Sequence, residues 1–138
     1  MSVSGPAFYS ATVLDHFENP RNVGDVPGSA AVATVENMDC GDRVRLSLRI
    51  NDSGIILEAR FRTFGCVAAI AASSMTTEMV VGLDLESAVA LTDLQVAAAL
   101  GGLPPSKVHC SVLAERVIRK AIENFRFVTG RSGEEERQ

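Results

Sequence analysis

The sequence predicts an α+β fold: a three-stranded antiparallel sheet with helices packed on one face, an N-terminal helix and a long C-terminal helix. Two observations carry this reading. Val44, Leu46, Leu48 and Ile50, then Leu57, Ala59 and Phe61, sit at every second position, the period of half-buried strands. After Gly65 the apolar spacing becomes helical and stays so to the end of the apolar sequence. The length of 138 residues suits one domain with a core large enough to stand without staples.

Each element follows from its residues. After Pro6, apolar residues at Tyr9, Val13, Leu14 and Phe17 predict a short amphipathic helix, and Pro20 with Gly24 and Gly28 predicts a loop. Residues 31–37 are β-branched enough for a first strand. In the second and third strands, Arg43, Arg45, Ser47, Arg49, Glu58, Arg60 and Arg62 alternate with the apolar residues, and the arginines predict a basic outer face. Asn51-Asp52-Ser53-Gly54 joins those strands, because these residues tolerate turn geometry. A helix is expected over residues 67–81, ended by Gly82. Asp84 and Thr92 are placed to cap two short helices, the second ended by Gly101-Gly102. Pro104-Pro105 predicts an exposed, extended linker over residues 103–107. A final helix is expected from Val108 to about Phe127, with Val112, Ile118, Ile122 and Phe125 on its apolar face. The domain is therefore expected over residues 8–128, between a flexible N-terminus at 1–7 and an acidic, disordered tail at 129–138.

Composition excludes several classes. Hydrophobic residues at 46% and charged residues at 22% are globular proportions. The longest apolar run, Cys66 to Ala72, is seven residues, far short of the ~20 that span a bilayer. A net charge of −4 argues against nucleic acid as a partner, because such binders normally carry a basic stripe. No leader pattern opens the chain, so a reducing cytoplasmic compartment is expected, where thiols stay free to bind metal or react. Oligomeric state is left open between a monomer and a homo-oligomer.

The three cysteines carry the chemistry. Cys40, Cys66 and Cys110 are odd in number and separated by 25 and 43 residues, so neither full internal pairing nor a zinc-finger spacing fits. Singly, each reads as a small buried apolar residue. Together, all three fall at element ends, Cys40 and Cys66 beside Gly and Cys110 shortly after Pro104-Pro105, two of them at helix starts, where the helix dipole favours a thiolate. Three sulfur ligands with one nitrogen or oxygen ligand complete a tetrahedral shell for zinc or hold an iron–sulfur cluster. Asp42, two residues after Cys40, and His109, beside Cys110, are the two candidates for the remaining position. His16 has no cysteine near it in sequence and reads as structural.

Four segments in order, Asp15-His16-Phe17-Glu18-Asn19-Pro20-Arg21-Asn22-Val23-Gly24, Cys40-Gly41-Asp42, Thr63-Phe64-Gly65-Cys66 and Leu103-Pro104-Pro105-Ser106-Lys107-Val108-His109-Cys110-Ser111, closely resemble the iron–sulfur cluster assembly scaffold family. That family includes the housekeeping scaffold and the N-terminal domain of the nitrogen-fixation scaffold, and the likeness runs from about Tyr9 to Phe125. The resemblance implies a carrier rather than an enzyme. It would take iron, and sulfur from a cysteine desulfurase, assemble a transient [2Fe–2S] cluster and pass it to apo-proteins. It further implies Cys40, Cys66 and Cys110 as cluster thiolates, His109 or Asp42 as the fourth ligand, Asp42 as the source of cluster lability and Cys110 as the persulfide acceptor. Zinc is the expected alternative occupant of the isolated protein.

The chain departs from the family pattern at three places. Val67 follows Cys66 where Gly or Ala is common, Met38-Asp39 precedes Cys40 in place of small or apolar residues, and Ser106 stands where the form recognised by an Hsp70-type chaperone carries Val. Leu103, Pro104, Pro105 and Lys107 of that chaperone segment are kept. A related branch binds zinc tightly and acts as a sulfurtransferase, but it carries an insertion between the second and third cysteines and lacks the histidine before the third. The 43-residue gap and His109 favour the scaffold over that branch.

Overall fold

The computed structural model describes residues 9–37 and 41–130. The expected flexible N-terminus at 1–7, Cys40, and residues 131–138 of the expected acidic tail lie outside the described residues. The chain runs α1 (Ala11–Glu18), β1 (Ala31–Glu36), β2 (Arg43–Ile50), β3 (Ile56–Phe64), α2 (Val67–Val80), α3 (Leu85–Val89), α4 (Asp93–Ala99) and α5 (His109–Thr129). The strands form one antiparallel sheet in the order β1-β2-β3. The α+β architecture is the expected one.

Strand periodicity sets the layers. Ala31, Ala33, Val44, Leu46, Leu48, Ala59 and Phe61 are buried on one side of the sheet, with Leu46 opposite Phe61 across the β2–β3 pair. The helices supply the other half of the core. α5 packs over β1 and β2, α2 packs beside β3, and α1 lies on α2. The side-chain amide of Asn124 on α5 donates to the Val32 carbonyl at 2.8 Å, tying the helix to the sheet edge.

The outer face carries the alternating arginines, held by few carboxylates. Arg45 and Arg62 are cross-strand partners, an arrangement that like charges destabilise unless neutralised. Asp25 accepts from both, at 3.2 and 2.7 Å. Ser47 shares this face but is buried, contrary to a plain alternation. The loop after α1 crosses over it, and the Val26 N–H donates to Ser47 Oγ at 2.9 Å. The same loop bonds the edge of β3, where Gly24 N–H donates to the Phe61 carbonyl and Phe61 N–H to the Asn22 carbonyl, both at 2.9 Å.

The expected caps are present. Asp84 accepts from the Ser87 N–H, and Thr92 forms a reciprocal capping box with Gln95. Gly130 ends α5 in the left-handed region at φ 78°, which a side chain resists. His16 is buried, with Nδ1 2.8 Å from Ser74 Oγ and Nε2 3.6 Å from the Glu78 carboxylate. It pins α1 to α2, as a structural residue would. Two local expectations change. Residues 105–107 form a 3-10 turn rather than an extended linker, since the second proline occupies the first position of a turn, which lacks an N–H partner anyway. On α5, Val112 is 36% exposed, and Leu113, Ala114, Val117 and Ala121 join Ile118, Ile122 and Phe125 in the core. A sheet on one side and α2, α3 and α4 on others surround the helix more widely than a single stripe covers. No described helix is long and apolar enough to cross a membrane.

The corrected α5 face gives a stability prediction. Ile122→Ala, at a fully buried position, should cost about 2–5 kcal/mol, whereas Val112→Ala should cost under about 1 kcal/mol, both read by urea denaturation.

Candidate metal and sulfur site

Three elements converge at one end of the sheet. The β1–β2 connection is closed by the Asn37 N–H donating to the Asp42 carbonyl and the Gly41 N–H donating to the Asn37 carbonyl, both at 2.8 Å. Asp42 therefore emerges one residue before β2 begins. Arg43 pairs with Phe64, so the ladder sets Asp42 beside Gly65, and Cys66 follows as the N-cap of α2. Cys110 lies in the first turn of α5, which the 3-10 turn at Pro105–Lys107 leads over the sheet.

The functional atoms meet around one oxygen. Asp42 Oδ2 lies 3.7 Å from Cys66 Sγ, 3.7 Å from Cys110 Sγ and 3.6 Å from His109 Nε2. The two sulfurs are 3.7 Å apart, and Cys110 Sγ lies 3.6 Å from His109 Nε2. Ligand atoms of Asp42, His109 and Cys110 all fall within 4.8 Å of one another. Asp42 and Cys110 are buried, while Cys66 and His109 keep partial exposure and leave the site open on one side. A tetrahedron with ligand distances of about 2.3 Å, the zinc–sulfur value, has edges of about 3.7 Å. The five separations given match those edges, but Cys66 is not within 4.8 Å of all three other ligand atoms, so Asp42, His109 and Cys110 form the set that suits a metal and Cys66 borders it.

Electrostatics divides the two thiols. The Cys110 S–H directed at the Cys66 sulfur holds the Cys66 thiol down to about 6, helped by the Ala69 N–H and by Lys107, against burial and Asp42. Cys110 goes the other way. Its proton serves the Cys66 sulfur, and burial and the charges of Cys66 and Asp42 then push its thiol far above the usual range. The helix-start argument for a thiolate therefore holds at Cys66 and is corrected at Cys110. Two thiols this close keep one proton between them, and the more exposed sulfur carries the charge. A buried carboxylate next to a thiolate is a repulsive arrangement that a cation resolves.

Of the expected site residues, Cys66, Cys110, Asp42 and His109 are brought together, and Cys40 lies outside the described residues. Two neighbours carry no such signal in a ligand count. Lys107 has its ammonium pKa raised above the usual lysine value, first by the Cys66 thiolate. Tyr9 has its hydroxyl pKa raised, first by burial and then by Cys66. For Lys107 the available signal is its rarity, since it is one of two lysines and lies two residues before His109. Tyr9, a hundred residues away in sequence, gives none.

Residues 8–131 match the family model described as the NifU-like N terminal domain. The chain is 46% identical over 121 residues to the iron-sulfur cluster assembly scaffold protein IscU of Escherichia coli (strain K12), covering 86% of this chain and 94% of that protein. It is 45% identical over 119 residues to the nitrogen fixation protein NifU of Azotobacter chroococcum mcd 1, covering 86% of this chain but only 38% of that longer protein. Among solved structures, the N-terminal NifU-like protein of Brucella abortus superposes with a TM-score of 0.67 at 20% identity, covering 86% of this chain and 94% of that one, a likeness of fold. With the family model spanning nearly all of its length, the chain belongs to the NifU-like N-terminal domain family, that of the iron–sulfur cluster assembly scaffolds.

Proposed function

We propose that this chain receives iron, and sulfur from a cysteine desulfurase, assembles a [2Fe–2S] cluster and passes it to apo-proteins. The observation that supports this most is the Asp42 carboxylate, one oxygen of which faces two sulfurs and an imidazole at 3.6–3.7 Å. In this reading Cys40, Cys66 and Cys110 hold the cluster as thiolates, and His109 or Asp42 takes the fourth position. A hard carboxylate is a poor match for soft iron–sulfide surroundings, so a site containing one favours release over permanent retention. The partial exposure of Cys66 and His109 fits the same role, because a cargo needs a way out.

Sulfur arrives as a persulfide. Cys110 is the proposed acceptor, and it attacks only as the thiolate. Its proton moves along the 3.7 Å S···S line to Cys66, and the freed Cys110 sulfur attacks the outer sulfur of the desulfurase persulfide. A Cys110 S–S bond forms, the desulfurase S–S bond breaks, and its cysteine leaves as a thiolate. Lys107 offsets the negative charge that the pair and Asp42 bring together. Beside this site a groove of about 500 Å³, lined by Tyr9, Ser10 and residues 101–105, supports residues 103–107 as the docking segment for a chaperone of the Hsp70 type. The free thiols suit a cytoplasmic location. Zinc suits the same donors when no iron is supplied.

Anaerobic reconstitution with iron, cysteine and a desulfurase tests the reading. Visible sulfide-to-iron absorption is expected, whereas tightly kept zinc with faster desulfurase turnover and no cluster would support a sulfurtransferase instead. Asp42→Ala should slow loss of the reconstituted cluster to a chelator by about tenfold, a usual scale for altering a contact at a metal site. Mass spectrometry should find persulfide on Cys110, lost in Cys110→Ser and formed more slowly in Cys66→Ser, which lacks the proton acceptor. In the apo-protein, alkylation of Cys66 by iodoacetamide should be half-maximal near pH 6. The depressed pKa means the reactive thiolate is present above that pH and lost below it. Removing the hydrogen bond with Cys110→Ala should move the midpoint upward.

A further inference from the structure

The residue facing Asp42 across the end of the β2–β3 pair is Gly65, and its backbone is not in the left-handed region that only glycine adopts readily. Nothing in the main-chain conformation calls for glycine there. Space does. A Cβ added to Gly65 would lie 2.7 Å from Asp42 Oδ1, 3.0 Å from Asp42 Cγ and 3.1 Å from Ala69 Cβ. The first distance is shorter than side-chain β-carbons make and the other two are tighter than nearly all such contacts, so the carboxylate occupies the volume a side chain would fill.

We infer that Gly65 is a positioning residue: its missing side chain is the notch that seats the Asp42 carboxylate against the two sulfurs. The carboxylate has two distinct sides. Oδ2 points at Cys66, Cys110 and His109, and Oδ1 occupies the space that a Gly65 side chain would take. A methyl group at residue 65 removes the second support and drives the carboxylate off the site. The atoms it meets are the free end of a side chain, so the displacement is taken by rotation about the Asp42 side-chain bonds and the strand stays in place. Ala69, one turn into α2, closes the far wall of the notch and keeps the methyl from swinging clear. Gly65, between β3 and α2, thereby decides whether the carboxylate sits among the sulfurs.

The functional consequence rests on the proposed role of Asp42 in cluster release. Gly65→Ala should then copy Asp42→Ala, slowing cluster loss by about tenfold with the ligating side chains all present. It should do so with a small change in melting temperature, under about 5 °C, because a side-chain terminus yields more cheaply than a packed core. Gly54→Ala is the control for general destabilisation. Gly54 is in the β2–β3 turn at φ 82° with open space around it, so that variant strains the backbone without touching the site.

Two measurements decide the matter. In apo-protein labelled with ¹³C at the aspartate carboxyls, the Asp42 resonance, identified by its loss in Asp42→Ala, should shift in Gly65→Ala and stay put in Gly54→Ala. In reconstituted protein, cluster loss should be equally slow in Gly65→Ala, Asp42→Ala and the double variant. An unmoved resonance and parental cluster loss in Gly65→Ala, with slow loss in Asp42→Ala, overturn the inference and leave the role of Asp42 standing. A shifted resonance with parental loss in Asp42→Ala itself supports the notch and overturns the lability reading. Further slowing when Gly65→Ala is added to Asp42→Ala shows that the glycine acts through something other than this carboxylate, which also overturns the inference.

Discussion

A single carboxylate oxygen organises one end of this molecule. Asp42 is buried, and its Oδ2 stands 3.7 Å from each of two sulfurs with one imidazole for relief. Burying an ionisable group among other anionic ones is costly unless a cation joins them. The fold thus holds these groups in a mutually repulsive arrangement. The β1–β2 hairpin closure holds the main chain of Asp42, the β2–β3 register sets Gly65 opposite, and the packing of α5 on the sheet delivers Cys110. Each of these is a structural requirement with a chemical effect.

The proton arrangement follows from that crowding. With two thiols and a carboxylate inside 3.7 Å, only one sulfur holds a negative charge comfortably, and Cys66 holds it because it is less buried and receives the Cys110 S–H. The same field raises the Lys107 pKa, and its ammonium gives the segment containing Pro104 and Pro105 a charge at the site as well as shape. A site balanced in this way responds to whatever arrives. In the proposed role a metal ion relieves the repulsion, and an arriving persulfide requires the proton to change sulfurs. These are properties of a temporary holder.

Much of the fold was legible because it rests on local rules. The boundaries of β2, the turn at residues 51–54 and the caps at Asp84 and Thr92 depend on period and on hydrogen bonds within a few residues. The misread details depend on what lies across the molecule. Ser47 alternates outward yet is buried because a loop from twenty residues away crosses it. Val112 fits a helical stripe yet is exposed, while neighbours off that stripe are buried by α2, α3 and α4. Period identifies a face and is silent about which elements cover it.

The sequence by itself determined the element order, the number of cysteines, and the pairing of thiols with one carboxylate and one imidazole as candidate ligands. Those are matters of composition and short-range spacing. Tertiary structure alone decided which sulfur carries the charge, that Tyr9 and Lys107 sense it, and that Gly65 makes room for Asp42. The physical reason is range. A thiol's pKa is set by burial and by charges within a few ångströms, and a clash by distances of about 3 Å. Residues separated by 24 and 68 positions reach those distances only when the sheet and helices bring them there.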